Sequence, residues 1–180
     1  MISVALMENT PAKLMVAVFD RTVCLQVSGR ADFTCTVDLK KLIAELWERG
    51  YAHFVFDLCG CRMMDSTFLG VLAGISLQLS NAAGAAQPLE LINANPRIRE
   101  TLENLGVAHL FKIGGSAGPL SDKFEPLSQG DPASAVELAR TCLKAHQTLM
   151  ELNPDNAQKF KDVAQFLAED LKRLEIGQKP

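Results

Sequence analysis

The sequence predicts an α/β domain built on a mixed sheet, followed by an α-helical hairpin. Three patterns predict it. Two β-rich runs at residues 13–19 and 22–28 are separated only by Asp20 and Arg21, the spacing of an antiparallel hairpin. From there to residue 113, strand-like and helix-like segments alternate, the order that gives a sheet covered by right-handed crossover helices. Beyond a stretch rich in glycine and proline, two segments carry apolar residues at helical spacing. The expected division is an α/β domain over residues 1–113, a linker over 114–132, a helical hairpin over 133–175 and a tail over 176–180.

In order, the chain leaves its second strand at Ser28–Asp32. Residues 36–49 then carry Val37, Leu39, Leu42, Ile43, Leu46 and Trp47 close to helical spacing, with Gly50 as a stop. A strand is expected over 52–58, then a short loop carrying Gly60, then a helix over about 67–80. That helix is apolar nearly all round (Phe68, Leu69, Val71, Leu72, Ile75, Leu77, Leu79), so it must be largely buried. Gly70 and Gly74 lie one turn apart within it. Each costs a helix about 1 kcal/mol, and close approach to the sheet is the expected reason. Residues 82–85 read as a loop and 89–92 as a short strand. Asn95 and Pro96 open a helix bearing Ile98, Leu102 and Leu105, closed by Gly106, and 110–113 read as the last strand.

The linker is marked by Gly114, Gly115, Gly118, Pro119, Pro126, Gly130 and Pro132. It is not a phosphate-binding loop, since no lysine follows its glycines at the required place. After it, residues 133–152 carry Val136, Ala139, Leu143, Leu149 and Met150. Asn153-Pro154 forms a joint, and the second helix has a stripe of Phe160, Val163, Ala164, Leu167, Leu171 and Leu174. One apolar stripe on each helix means that both pack on something: each other, the α/β domain or a second chain. A homodimer or partner contact is the expectation, because two helices alone make a thin core.

Composition narrows the function classes. The 180 residues are 48% hydrophobic and 22% charged with a net charge of −3, and no long basic run offers a grip on nucleic acid. No apolar stretch approaches the roughly 18 residues that span a bilayer, so no membrane contact is expected. Residues 1–8 lack the basic start and long apolar core of a signal peptide, so the expected location is cytoplasmic. The five cysteines (Cys24, Cys35, Cys59, Cys61, Cys142) are odd in number and scattered among apolar residues, which suits small buried fillers. Cys59 and Cys61 have the wrong spacing for a zinc knuckle, and His53, His109 and His146 stand apart, so neither metal nor other cofactor is expected.

The informative stretch is residues 57–72. A strand runs into Asp57 and Leu58, and a loop with Gly60 delivers Asp65, Ser66 and Thr67 to the start of the apolar helix. Ser66 suits an N-cap, whose hydroxyl accepts a bond from a first-turn amide. The helix dipole at the same place favours negative charge, so a phosphate on Ser66 would be tolerated by the fold. Capping alone is the simplest role for Ser66 and Asp65, and turn-shaping the simplest for Asp57. Enzyme chemistry finds less support. Ser66 lacks a Gly-x-Ser-x-Gly elbow and a histidine with acidic company. A receiver domain phosphorylated on Asp57 would need paired acids after the first strand, where Asp20 stands alone. No Gly-x-Gly-x-x-Gly opens a helix for a dinucleotide.

Asp57, Leu58, Gly60, Asp65, Ser66, Thr67, Leu69, Gly70 and Leu72 together resemble the signature of STAS domains, the family of bacterial anti-sigma factor antagonists. Phe68 departs from it, standing where glycine is usual and adding bulk just beyond the acceptor. The resemblance covers about residues 13–113 and implies a STAS-type mixed sheet, an N-terminal antiparallel hairpin continued by β-α repeats. It further implies that Ser66 is phosphorylated by an anti-sigma factor serine kinase and reset by a PP2C-type phosphatase. Asp32, Asp57, Met63, Met64, Asp65, Thr67 and Phe68 would contribute to the partner-binding face. The implied function is a non-enzymatic, phosphorylation-switched module in a partner-switching pathway of transcription regulation. The alternative is a STAS scaffold that is not phosphorylated and assembles through its C-terminal helices.

Overall fold

The protein is described by a computed structural model over residues 11–82, 88–115, 123–127 and 130–177. Of the loop expected at 82–85, Ala82 still belongs to the preceding helix, while residues 83–85, much of the expected linker and the last residues of the tail lie outside the described residues. Strands β1 (Lys13–Phe19) and β2 (Thr22–Ala31) form the antiparallel hairpin, with Lys13 opposite Ser28 and Phe19 opposite Thr22. Asp20 turns the chain at φ 52°, in the left-handed region that aspartate tolerates.

Strand β3 (His53–Met64) pairs in parallel with β2 and is longer than expected. The short loop anticipated around Gly60 is strand, because β2 keeps pairing with it: Ser28 faces Gly60, Gly29 faces Cys61 and Ala31 faces Met64. Two register shifts in the pairing, after Gln26 and after Gly29 of β2, accommodate the extra residues of β3. Glycine is needed here, since a Cβ at position 60 would stand 2.8 Å from the Ser28 Cβ. Strands β4 (Glu90–Ile92) and β5 (Lys112–Ile113) extend the parallel part. A short 3-10 turn at Ala108–Leu110 delays the start of β5. The strand ending at Ile113 is not the last: β6 (Glu125–Pro126), inside the expected linker, pairs antiparallel with β1. The sheet order is β5-β4-β3-β2-β1-β6. Proline is acceptable on β6 because that strand is an edge.

The described residues hold five α-helices, in chain order α1 (Thr36–Glu48), α2 (Ser66–Ala82), α3 (Pro96–Asn104), α4 (Ala135–Leu152) and α5 (Pro154–Gly177). Their boundaries have local causes. Asn95 caps α3 by accepting the Ile98 amide at 2.9 Å, and Ser134 caps α4 by accepting the Glu137 amide at 3.1 Å. Beyond α1, Gly50 takes φ +90°. The core joins Val23, Leu25, Val27, Phe54, Phe56 and Leu58 of the central strands to Leu39 and Ile43 of α1, Leu69 and Leu72 of α2, and Ile98 and Leu102 of α3.

The hairpin docks on its own chain. Helix α4 packs on α2 and α1, and α5 packs on α4. Ala145 and Leu149 of α4 belong to the same buried cluster as the sheet. This explains why α2 is apolar nearly all round: one side faces the α/β core and another faces α4. It also corrects the expectation for Gly70, whose close approach is to α4 rather than to the sheet. A Cβ there would lie 2.5 Å from the Ala145 carbonyl oxygen, whereas one at Gly74 would meet nothing within 4 Å. The α5 stripe is half-buried along α4, with Val163 more exposed.

Candidate functional site

The site grows from the ends of β2 and β3. The Asp65 amide donates to the Ala31 carbonyl at 2.9 Å, so the two parallel strands are still joined where α2 begins. Asp65 then caps that helix. Its Oδ1 accepts the Phe68 amide at 2.7 Å, and its main-chain oxygen accepts the Leu69 amide at 3.1 Å. This corrects the expectation that Ser66 is the N-cap: Ser66 is the first helical residue, and its hydroxyl is directed elsewhere. The other carboxylate oxygen of Asp65 accepts the Phe33 amide at 3.2 Å, tying in the loop after β2. In that loop Asp32 Oδ1 accepts both the amide and the hydroxyl of Thr34, at 3.0 and 2.6 Å. Burial pushes the Asp65 carboxyl above its ordinary value, the Phe68 and Phe33 amides pull it back, and neighbouring Asp32 pushes it up again.

Ser66 is partly buried, and its Oγ lies 3.0 Å from His146 Nε2, eighty residues further along the chain. His146 is 5% exposed, and its ring meets that of Phe160 in an edge-to-face contact with 5.2 Å between centroids. Its Nδ1 is 2.8 Å from the Cys142 carbonyl oxygen. Next to Ser66, the Thr67 side chain is hydrogen-bonded to the Cys142 thiol, which burial pushes up and that bond pulls part-way back. His146 was read from the sequence as isolated. Nothing in its spacing or neighbours signals Ser66, because the contact is made entirely by the docking of α4. His53 is not isolated either: Thr22 Oγ1 lies 3.0 Å from its Nδ1 and Glu90 lies 3.4 Å from its Nε2.

The other expected site residues divide. Asp32, Asp65 and Ser66 are brought together at one end of the sheet, with half-buried Met63 nearby on β3. Four others are not available as a contact face. Asp57 is 6% exposed, and its Oδ1 accepts the Cys59 amide at 3.0 Å and the Asn93 side-chain amide at 2.8 Å, which fastens β3 to the segment after β4. Met64 and Thr67 are buried, and Phe68 is 0% exposed in the core. The bulk of Phe68, expected beside the acceptor, is therefore turned inward. Phe33, 42% exposed and one residue after Asp32, is an apolar surface residue that the sequence reading did not single out. The cysteines are not uniformly buried fillers either: Cys24 and Cys61 are buried, Cys35 and Cys142 intermediate and Cys59 exposed. Among the described residues, no group of three or more His, Cys, Asp or Glu side chains lies together as a metal site. Nor is any helix there long and apolar enough to cross a membrane.

Comparison with a Thermotoga maritima protein, solved twice, gives the same architecture. A candidate anti-sigma factor antagonist from Thermotoga maritima superposes with a TM-score of 0.50 at 19% identity, covering 57% of this chain and 85% of that one. The solution structure of the same Thermotoga protein gives 0.50 at 20% identity, over 56% and 79% of the two chains. The anti-sigma factor antagonist SpoIIAA in its unphosphorylated form gives 0.49 at 18%, over 56% and 87%. Comparison with curated proteins gives no match. The sequence profile of the STAS domain matches residues 13–118, more than half of the chain, and covers both the strand hairpin and the Ser66 motif. By that match and by its mixed sheet, the chain belongs to the STAS domain family.

Proposed function

We propose that this chain is a phosphorylation-switched binding module that antagonises an anti-sigma factor serine kinase in a bacterial partner-switching pathway, with Ser66 as the acceptor. The observation that carries this reading is the position of Ser66 at the first turn of α2, inside the family motif and beside the loop of Asp32, Phe33 and Thr34. The unmodified protein binds the kinase through that end of the sheet, with Asp32, Phe33 and Met63 as contacts, and so frees a sigma factor or another regulator. A phosphate on Ser66 adds about −1.5 to −2 charges next to Asp65 and opposes the complex. A PP2C-type phosphatase restores the binding form. The protein acts in the cytoplasm as substrate and partner, without turnover of its own.

Capture of partners from a bacterial host by the tagged full-length chain, its Ser66→Ala variant and its Ser66→Asp variant tests this. Wild type and Ser66→Ala should retain a kinase that Ser66→Asp loses, and intact mass with that kinase and ATP should show one phosphate absent from Ser66→Ala. Equal capture by all three, or modification elsewhere, overturns it. A second reading, an assembly module that is not phosphorylated and dimerises or docks through its C-terminal helices, is favoured by the exposed apolar residues of α5: Val163 at 42%, Phe166 at 62% and Ile176 at 70%. Light scattering of Phe166→Glu against wild type separates the two readings, since only an assembly role makes the mass depend on that face.

A further inference from the structure

Helix α4 lies on the residue expected to be modified. The Cys142 carbonyl can only accept, so His146 Nδ1 carries the proton of their 2.8 Å bond. In the neutral ring Nε2 is then an acceptor, and the Ser66 hydroxyl donates to it across 3.0 Å. The next hydroxyl, Thr67, is engaged with Cys142 of the same helix. One turn further on, the missing side chain of Gly70 lets the Ala145 backbone come so close that any Cβ would overlap it. Three successive contacts therefore seat α4 on the outer face of α2. The His146 end of that seat is buried and covered by Phe160 of α5.

We propose that the C-terminal hairpin is an intramolecular lid on the acceptor face of α2, and that seating of the hairpin and a phosphate on Ser66 exclude each other. This rests on the reading of Ser66 as the acceptor. A kinase that forms the Oγ–P bond breaks the terminal P–O bond of ATP, releases ADP and takes the hydroxyl proton onto its own base. The phosphate then occupies the space that His146 now fills. It carries about −1.5 to −2 charges into a buried contact, with the Asp65 carboxylate adjacent and Asp32 nearby. The helix dipole offsets part of that charge, but a phosphate cannot share the 3.0 Å separation of Ser66 Oγ from His146 Nε2, so the lid lifts. By linkage, a seated lid opposes phosphorylation to the same extent. While Ser66 is unmodified, α4 and the kinase compete for the same face of α2, and the phosphate on Ser66 then dismisses both.

The test needs no kinase. Phosphoserine is installed at position 66 of the full chain during translation, and hydrogen exchange is read in α4 and in β3. Amides of residues 135–152 should lose about tenfold or more of their protection, a coupling of ordinary size, while those of residues 53–64 keep theirs. Gly70→Ala should have the same effect without any charge, since its Cβ collides with Ala145. Gly74→Ala, with open space around its Cβ, should have none. Unchanged protection of α4 in the phosphoserine chain or in Gly70→Ala overturns the lid, as does joint loss in α4 and β3, which would make the hairpin inseparable from the domain core. Failure to find a kinase in host capture defeats the proposed function alone, because these exchange measurements do not depend on one.

Discussion

The side-chain amide of Asn156 donates to the Leu105 carbonyl oxygen at 2.9 Å and joins the first turn of α5 to the residue after α3. The same nitrogen donates to the Leu149 carbonyl at 2.9 Å, and the residue is 0% exposed. One buried amide thus fastens the base of the hairpin to the α/β domain and closes the end of α4.

Asn156→Ala should therefore lower stability by about 1–3 kcal/mol, the cost of removing the shorter bond to two carbonyls that keep only the longer ones from Asn153, at 3.2 and 3.5 Å. Asn156→Asp should cost more, because it turns a carboxylate towards two carbonyl oxygens. Urea denaturation of the three proteins checks this, and equal midpoints would show that the bonds contribute nothing.

Burial along the hairpin predicts a gradient. Leu149 is 0% exposed within the shared core, while Leu174 near the far end of α5 is only half-buried. Leu149→Ala should cost about 2–5 kcal/mol, and Leu174→Ala clearly less. Similar losses in thermal melts would mean that the hairpin is held evenly along its length.

Asp65→Ala should cost about 0.5–2 kcal/mol through loss of the cap, whereas Asp65→Asn keeps the acceptor for the Phe68 amide. Because burial raises the Asp65 carboxyl, the folded chain holds that proton more tightly than the unfolded chain. Its stabilising effect is complete below the ordinary value of 3.8 and is lost as pH rises from there through the raised value. The stability of wild type relative to Asp65→Asn should fall across that window, measured by denaturation at matched pH. A rising difference would reverse the sign and refute the assignment.

Thiol chemistry should be selective. Cys59 is exposed, whereas burial pushes Cys24 and Cys61 up to about 11 and Cys35 up to about 12. Iodoacetamide at mildly alkaline pH should label Cys59 first in the folded chain, as read by peptide mass spectrometry. Early labelling of Cys24 or Cys61 would mean that the sheet opens readily.

Much of the fold was legible because its causes are local. The run from Lys13 to Phe19, the stop at Gly50, the Asn95-Pro96 helix start and the Asn153-Pro154 joint each depend on residues within a turn of one another. The motif around Ser66 was legible in the same way, as a string. What the string could not carry is pairing at a distance. Strand β3 continues through Gly60 only because β2 lies beside it, and β6 exists only because the edge of β1 is open to it. The capping role passes from Ser66 to Asp65 because the Asp65 carboxylate reaches the Phe68 and Phe33 amides together. Asp57, Met64 and Phe68 read as surface contacts and are buried, since a short motif names residues without saying which way a twisted strand or a first helical turn points them. The contact of Ser66 with His146 belongs wholly to tertiary structure. It arises from the burial of the apolar face of α4 against α2, and no periodicity in either segment could have announced it.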